Sequence, residues 1–157
     1  MNKAMRPVLI IAEAGVNHNG DLDMARRLIE VAANAGADIV KFQTFRSDRI
    51  IASNAPKAAY QERTTGKSES QLDMVRKLEL SVADHELLRA HAELKGIRFL
   101  STPFDQESIV LLQGMHITIG KIPSGEVTNK PYLEDMARAF PELILSTGMC
   151  TVEEVRD

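Results

Sequence analysis

The sequence contains very little cysteine and few aromatic residues. Its 157 residues include a single cysteine, Cys150, and no tryptophan, and only 4% of them are aromatic. One cysteine cannot form an internal disulfide, which argues against a small disulfide-held secreted domain and indicates a reducing compartment, the cytoplasm. The longest apolar run near the N-terminus, residues 8–12, is too short for a membrane span or for the core of a signal peptide.

The sequence also lacks an excess of basic residues. Nineteen Lys and Arg residues oppose 22 Asp and Glu residues, so the net charge is −3 when histidines are neutral. This balance argues against nucleic acid or an anionic membrane as the main partner. The hydrophobic fraction of 44% and the charged fraction of 26% are ordinary for a globular protein, and the length favours one domain with a real core.

Short β-branched runs alternate with longer helical patterns along the chain. Three of the runs are nearly continuous in apolar residues, as expected where helices cover both faces of a parallel sheet. A strand followed by a helix, repeated five times, is typical of an α/β fold with parallel strands. The predicted strands are residues 8–12, 38–42, 97–101, 117–122 and 142–146.

Capping residues mark the ends of the predicted helices. Asp21 is the expected N-cap of the first helix, and Ser81 with Asp84 forms an expected capping box. On the helix that follows Ser81, Leu87 and Leu94 are expected to face the core together with Leu88 and Ala92, whereas His85 and His91 are expected at the surface. The predicted helices are residues 22–35, 69–78, 81–96, 106–115 and 129–140, and a further one opens with the capping box of Thr151 and Glu154.

This order of elements fits either a doubly wound sheet or a (β/α)8 barrel. The first β–α turn, residues 15–20, reads GVNHNG rather than G-x-G-x-x-G, and no other turn supplies that dinucleotide-binding fingerprint. A complete barrel needs roughly 250 residues, so the chain is expected to hold about five of its eight βα units. We therefore predict a partial (β/α)8 TIM barrel. The polar connection at residues 46–67 is unusually long, which is typical of functional loops.

Polar side chains follow each of the five predicted strands, whose bodies are apolar. In a parallel barrel these carboxyl ends converge on one rim, where barrel enzymes place their active sites. Lysine suits a phosphate or carboxylate, and hydroxyl groups add directional donors. The polar residues at the five strand ends include Glu13, Asn17, His18 and Asn19; Lys41, Gln43 and Thr44; Ser101, Thr102 and Asp105; Lys121, Ser124, Glu126 and Asn129; and Ser146 and Thr147.

These residues predict a phosphorylated small molecule as the substrate class. Glycines next to Ser124 and Thr147 would let backbone N–H groups approach an oxyanion, and Glu13 and Glu126 could transfer protons or hold sugar hydroxyls. Structural interpretations stay open: Glu13 could simply pair with a lysine, and the Ser-Thr segments could be turns and caps. Because unpaired charge inside a barrel is costly, lysines at equivalent positions on two strands favour an anion site.

Five of these segments, in order and at sensible spacing, resemble the catalytic domain of the sialic acid synthases. This family of nonulosonate synthases includes the N-acetylneuraminate, legionaminate and pseudaminate enzymes. One Ser-Thr-Gly would carry no weight, but five ordered strand-end motifs are specific. The segments are residues 10–21 (IIAEAGVNHNGD), 41–45 (KFQTF), 99–104 (FLSTPF), 121–129 (KIPSGEVTN) and 145–149 (LSTGM).

The resemblance implies an enzyme that condenses phosphoenolpyruvate with an open-chain N-acyl hexosamine. The enol C3 would attack the sugar aldehyde, water would add at C2, and phosphate would leave. The acceptor would be N-acetylmannosamine or a 2,4-diacetamido-trideoxy mannose. Glu13 and Glu126 would be the catalytic carboxylates, Glu13 near the reacting centre and Glu126, with Gln43, in contact with the acceptor. The residues implied to bind phosphoenolpyruvate are Lys41, Thr102, Lys121, Ser124 and Ser146.

The resemblance also implies parts that lie outside this sequence. The family uses a divalent metal, Mn or Mg, to polarise the aldehyde, and its two His ligands would lie beyond Asp157. Three barrel units and a C-terminal antifreeze-like domain, which closes the partner's site in the family's homodimer, would also be missing. Residues 1–157 are therefore expected to be the N-terminal portion of the catalytic barrel, and inactive or very weakly active alone.

Two alternatives remain open at this point. One is a related phosphoenolpyruvate-dependent synthase acting on an aldose phosphate, for which Arg46, Lys57 and Arg63 are the available basic residues. The other is a non-catalytic binding or interaction module, in which a partner covers the open edges of the first and fifth strands. Residues 55–61 (APKAAYQ) resemble the bacterial legionaminate-type branch, which adds the diacetamido sugar to the plausible acceptors.

Overall fold

The computed structural model of the chain describes residues 8–52, 55 and 70–156. Strands and helices alternate along it, as the sequence predicts. The strands are β1 (Ile11–Gly15), β2 (Ile39–Thr44), β3 (Arg98–Pro103), β4 (Ile119–Ile122) and β5 (Glu142–Leu145). The helices are α1 (Leu22–Asn34), α2 (Ser47–Ile50), α3 (Gln71–Arg76), α4 (Val82–Leu94), α5 (Gln106–Gly114), α6 (Lys130–Ala139) and α7 (Val152–Arg156), and a 3₁₀ turn covers Ser124–Glu126.

The strands pair in sequence order and in parallel. The order β1-β2-β3 forms one sheet and β4-β5 a second, and β3 and β4 lie in contact without a shared hydrogen-bond ladder. In the first sheet Glu13 lies opposite Lys41, and Gln43 lies opposite Thr102. The predicted fold class is confirmed: the chain forms a partial barrel of about five βα units with parallel strands, and their carboxyl ends lie on the same side.

The predicted caps are present at the helix ends. The side chain of Asp21 accepts hydrogen bonds from the first turn of α1, and Ser81 and Asp84 form the capping box of α4. Asp105 and Asn129 cap α5 and α6. Each of these side chains satisfies backbone N–H groups that have no partner inside the helix, which is why the sequence reveals where the helices begin.

Some details of the sequence-based prediction are wrong. The first strand begins at Ile11 rather than at Val8, because β2 opposes β1 only from Ile11 onwards and the preceding residues are exposed. On α4 the buried residues are His85, Leu88 and Ala92, whose spacing of three and four places them on one helical face. The residues that we expected to face inward at positions 87 and 94 lie off that face and are exposed.

The core lies between the strands and the helices. Phe42 of β2 stacks on Phe99 of β3 with ring centroids 5.5 Å apart, and helices α1, α4, α5 and α6 cover this layer. Burying a large apolar side chain of this kind stabilises a fold by roughly 1.5–3 kcal/mol. Fully buried apolar side chains include Ile29, Leu88, Leu112 and Met136. No helix among the described residues has the length and apolar character that a membrane crossing requires.

Candidate functional site

Successive side chains of β2 point alternately to the two faces of the sheet. Lys41 points to the face where Glu13 and Thr102 lie, whereas Thr44 points to the helical layer and contacts His85. This alternation follows from the two-residue period of a strand. The alternation places the charged Lys41 and Glu13 on the inner face of the sheet and the uncharged side chain of Thr44 on the helical face.

Lys41 forms an ion pair at the carboxyl end of the first sheet. Its Nζ lies 2.6 Å from Glu13 Oε2 and donates to Thr102 Oγ1 at 3.1 Å. The side chain of Lys41 is 9% exposed, whereas that of Glu13 is 54% exposed. The pairing of Glu13 with a lysine, which the sequence left open as a structural interpretation, is therefore present. It places a nearly buried ammonium group beside a carboxylate that solvent can reach.

Lys121 occupies the equivalent position on the second sheet. Its Nζ donates to Ser146 Oγ at 2.7 Å and to the backbone oxygen of Ile122 at 2.9 Å. Partial burial lowers the pKa of Lys121, the nearby ammonium group of Lys41 lowers it further, and the carboxylate of Glu13 acts in the opposite direction. Lys41 and Glu13 therefore lie close enough to influence the charge of Lys121 at the rim. We call Glu13, Lys41, Thr102, Lys121 and Ser146 the lysine cluster.

Gln43 lies beside this cluster. A methyl group built on Gly15 would come within 3.2 Å of Glu13 Oε1 and 3.8 Å of Gln43 Nε2, so the carboxylate and the amide both lie over Gly15. Gly15 has a φ of +53°, a conformation that favours glycine. The bare backbone at this position leaves room for both side chains.

The predicted site residues that follow β4 lie apart from these contacts. Ser124 begins the 3₁₀ turn, and its backbone oxygen lies 3.4 Å from the sulfur of Cys150. Glu126 ends that turn, and its Oε2 accepts a hydrogen bond from Asn129 Nδ2 at 2.7 Å. Glu126 also borders a cavity of about 580 Å³ together with Arg49, Asp105 and Tyr132. The structure thus gathers five of the eight predicted site residues in the lysine cluster, with Gln43 beside it.

His85 is a residue whose position the sequence-based prediction missed. We expected it at the surface, but it is fully buried behind the rim. Its Nδ1 lies 2.8 Å from the backbone oxygen of Ser81, and its Nε2 lies 2.7 Å from Thr44 Oγ1, which in turn lies 2.6 Å from Ser101 Oγ. The signal in the sequence is the spacing of His85, Leu88 and Ala92, which places the histidine on the buried face of α4.

His18 is also buried, in the turn that follows β1. Its Nδ1 accepts a hydrogen bond from the backbone N–H of Gly20 at 3.0 Å, and its ring lies 6.1 Å from that of Phe42. Within the described part of the chain, its Nε2 has no hydrogen-bond partner. Burial lowers the pKa of His18, and the charge of His85 lowers it further, while Asp84 opposes the shift.

Comparison with known proteins places this chain in a family. Residues 28–157 match the model of the NeuB family. The chain belongs to the NeuB family. An N,N'-diacetyllegionaminic acid synthase from Campylobacter jejuni subsp. jejuni serotype O:2 is 54% identical over 153 residues, which are 98% of this chain and 46% of that protein. One from Legionella pneumophila is 50% identical over 147 residues, which are 94% of this chain and 41% of that protein.

A solved structure of a sialic acid synthetase shares the fold of this NeuB chain. The crystal structure of N-acetylneuraminic acid (sialic acid) synthetase from Leptospira borgpetersenii serovar Hardjo-bovis, in complex with citrate, superimposes with a TM-score of 0.79 at 34% identity. The match covers 96% of this chain and 48% of the Leptospira chain. The chain therefore spans about half the length, or less, of these relatives. The resemblance to the sialic acid synthases is confirmed.

Some features predicted for this NeuB chain are not located by the structure. Among residues 8–52, 55 and 70–156, no group of three or more His, Cys, Asp or Glu side chains is placed to hold a metal ion. The described residues thus do not supply the divalent metal site that the resemblance implies. Residues 56–61 of the predicted legionaminate-type segment, and both Lys57 and Arg63, lie outside the described residues.

Proposed function

We propose that the chain is the N-terminal portion of the catalytic barrel of a nonulosonate synthase. The complete enzyme condenses phosphoenolpyruvate with N-acetylmannosamine or with a 2,4-diacetamido-trideoxy mannose, and releases phosphate. The observation that carries this proposal is the pair of lysines at the carboxyl ends of β2 and β4, where Lys41 contacts Glu13 and Thr102 and Lys121 donates to Ser146. Lys41 lies near enough to lower the pKa of Lys121. Membership of the NeuB family and its named synthases supports the same activity.

Phosphoenolpyruvate binds in the lysine cluster under this proposal. It carries a carboxylate and a phosphate, so it has two anionic groups for two ammonium groups. Each ammonium group already has a hydroxyl beside it, Thr102 for Lys41 and Ser146 for Lys121, and all four groups can donate to an anion. Ser124 lies at the start of the turn that follows β4. Fixed donors of this kind stabilise charge without having to reorganise during the reaction. The Leptospira relative is in complex with citrate, another multiply charged anion.

The acceptor sugar lies next to this anion in the proposal. Gln43 lies beside Glu13 over Gly15, where an amide and a carboxylate can hold sugar hydroxyl or amide groups. The cavity that Glu126 borders, about 580 Å³, falls in the size range of small-molecule pockets. The enol C3 forms the new bond to the aldehyde carbon, water supplies the oxygen at C2, and the C–O bond to phosphate breaks. Glu13 is the carboxylate closest to the bound anion and the proposed proton-transfer group.

The remaining parts of the enzyme belong to the complete protein in this proposal. A divalent metal is held by residues outside this chain, and a homodimer in the cytoplasm is the working form, with no nucleic acid or membrane as partner. The remaining barrel units and a C-terminal antifreeze-like domain complete the active site. The 157-residue chain alone binds phosphoenolpyruvate weakly and does not turn it over. Phosphate release from a mixture of the chain, phosphoenolpyruvate and N-acetylmannosamine would contradict this last point.

A calorimetric titration of phosphoenolpyruvate tests the anion site. Lys121→Ala removes one of the two ammonium groups, and the proposal predicts that measurable binding is lost. Lys95→Ala is the matched control, because Lys95 pairs with Glu30 at 2.9 Å on a helix end away from the rim. Equal binding by the wild type and by Lys121→Ala would contradict the proposed function.

A further inference from the structure

A buried chain of polar side chains connects helix α4 to the strands directly behind the lysine cluster. Ser101 on β3, Thr44 on β2 and His85 on α4 follow one another at 2.6 Å and 2.7 Å, and His85 ends against the backbone oxygen of Ser81 at 2.8 Å. The side chains of all three are buried. We call Ser101, Thr44 and His85 the buried polar chain.

The hydrogen-bond directions along this chain follow from its end point. The carbonyl oxygen of Ser81 can only accept, so Nδ1 of His85 carries the proton. Burial lowers the pKa of His85, so the ring is neutral and its Nε2 is an acceptor. The hydroxyl of Thr44 therefore donates to Nε2, and the hydroxyl of Ser101 donates to Thr44. In this arrangement the hydroxyl hydrogens of Ser101 and Thr44 and the acceptor Nε2 of His85 all have partners.

The buried polar chain is adjacent in sequence to the residues of the anion and acceptor sites. Thr44 follows Gln43 on β2, and Ser101 precedes Thr102 on β3. Neighbouring residues on a strand share a peptide unit and point to opposite faces. A change in the position of Thr44 or Ser101 on the helical side must therefore move Gln43 or Thr102 on the inner side.

We propose that His85 is a positioning residue for the anion site, which acts through Thr44 and Ser101 on Gln43 and Thr102. This inference rests on the proposed function for the identity of the ligand, although the positioning itself exists without ligand. Protonation would make Nε2 a donor, so the hydroxyl of Thr44 would have to accept from it and donate to Ser101 instead. This reversal takes away the acceptor of the Ser101 hydroxyl and puts a charge into the buried polar chain. The anion site would then lose the fixed position of Thr102, which holds Lys41.

In the part of the chain that the structure describes, few charged groups surround His85. Asp84 precedes it on α4 and favours its protonated form, while His18, in the turn after β1, interacts with it electrostatically. Strands β2 and β3 contribute hydroxyl groups and the ring of Phe99, whose centroid lies 6.5 Å from that of His85. Because burial lowers the pKa of His18 as well, a test must separate the two histidines.

The first test is a pH titration of the ligand-free chain by amide NMR, from about pH 4 to 7.5, because the lowered pKa of His85 lies below the ordinary histidine value of about 6.5. In the wild type, the amide signals of Gln43 and Thr102 are expected to shift with the midpoint of the His85 ring. His85→Gln keeps an acceptor near Nε2 but does not titrate, so these shifts should disappear while those caused by His18 remain. Unchanged shifts in His85→Gln would overturn the proposal.

The second test measures phosphoenolpyruvate affinity in three variants. His85→Leu removes the acceptor and is expected to weaken binding about tenfold, the order expected when a buried hydrogen-bonding group loses its partner. At about pH 7.5, His85→Gln should bind phosphoenolpyruvate more tightly than His85→Leu. When the pH is lowered, its affinity should fall less than that of the wild type. His91→Leu, six residues further along α4 and 3.2 Å from Glu30, is the control and should bind normally.

The results distinguish the two proposals. Identical affinities of His85→Leu and His91→Leu, or identical acid profiles of the wild type and His85→Gln, would overturn the role of His85 while leaving the anion site intact. If the wild type binds no phosphoenolpyruvate but Gln43 and Thr102 still titrate with His85, the proposed function fails and the positioning stands. Should His85→Leu not fold, the acid profile of His85→Gln alone decides.

Discussion

Lys41 and Glu13 form an ion pair across two neighbouring parallel strands, with Nζ and Oε2 2.6 Å apart. The lysine is nearly buried and the carboxylate is half exposed. A buried charge without a partner is costly, so this pair keeps an ammonium group inside the barrel in the absence of an anion. An anion that enters the lysine cluster would take over part of that role.

Glu13→Gln is expected to reduce stability in the absence of ligand. Removing the carboxylate leaves Lys41 with a weaker partner, and because Glu13 is half exposed we expect a loss of about 1–2 kcal/mol in the free energy of unfolding. Inorganic phosphate should restore more stability to this variant than to the wild type. Urea unfolding with and without phosphate measures both effects. Asp23→Asn, which removes an exposed partner of Arg26, is the control and should change stability by less than about 0.5 kcal/mol.

Lys121 is expected to react faster with amine-directed reagents than an ordinary surface lysine. Its lowered pKa gives it a larger neutral fraction at a given alkaline pH, and the neutral amine is the nucleophile. Partial acetylation followed by peptide mass spectrometry compares it with Lys95, which lies in an exposed ion pair. Phosphoenolpyruvate should protect Lys121 and leave Lys95 unaffected. Protection of both, or of neither, would contradict the site.

Acid is expected to destabilise the fold through its buried histidines. Burial lowers the pKa of both His18 and His85 in the folded chain, while the unfolded chain keeps values near 6.5. Below about pH 6.5 the unfolded state therefore binds more protons, and stability falls as pH falls. Unfolding free energies across this range should show a shallower slope for His85→Gln than for the wild type. A slope that the substitution leaves unchanged would exclude His85 as a source.

Gly120 is expected to tolerate no side chain on β4. A methyl group there would come within 2.6 Å of the Phe140 ring and 2.8 Å of Leu143, so Gly120→Ala should cost about 1–3 kcal/mol. Gly125→Ala is the matched control, since a methyl group at Gly125 meets nothing within 4 Å. Thermal or urea unfolding of the two variants compares them. Equal stability of Gly120→Ala and Gly125→Ala would contradict the close packing of β4 against Phe140.

The fold was predictable because the signals that determine it are local. Apolar runs with the period of strands, helical stripes and caps such as Asp21 and Asp105 each depend on residues a few positions apart. The convergence of polar residues on one rim followed from parallel strand geometry alone. The start of β1 was not predictable in this way, because it depends on where β2 begins to oppose it.

The contacts of the site were only partly predictable. The sequence does not state the register between strands. The ion pair of Glu13 with Lys41 and the hydrogen bond from Lys121 to Ser146 both depend on that register. Glu126 follows Lys121 closely in sequence, but the 3₁₀ turn places its carboxylate against Asn129. His85 was expected at the surface because it lies six residues from His91 and so on a different helical face, although its spacing with Leu88 and Ala92 indicated burial. The hydroxyl of Thr44 and the backbone oxygen of Ser81 satisfy the two ring nitrogens, which makes that burial tolerable.

The most direct test of the account follows the two lysine ammonium groups in one titration. NMR detection of the Nζ signals of Lys41 and Lys121, assigned with Lys41→Arg and Lys121→Arg, reports each group as phosphoenolpyruvate is added. The account predicts that both signals shift together, with one shared dissociation constant and one phosphoenolpyruvate per chain. A shift of only one signal, or two different dissociation constants, would show that the lysines do not hold a common anion.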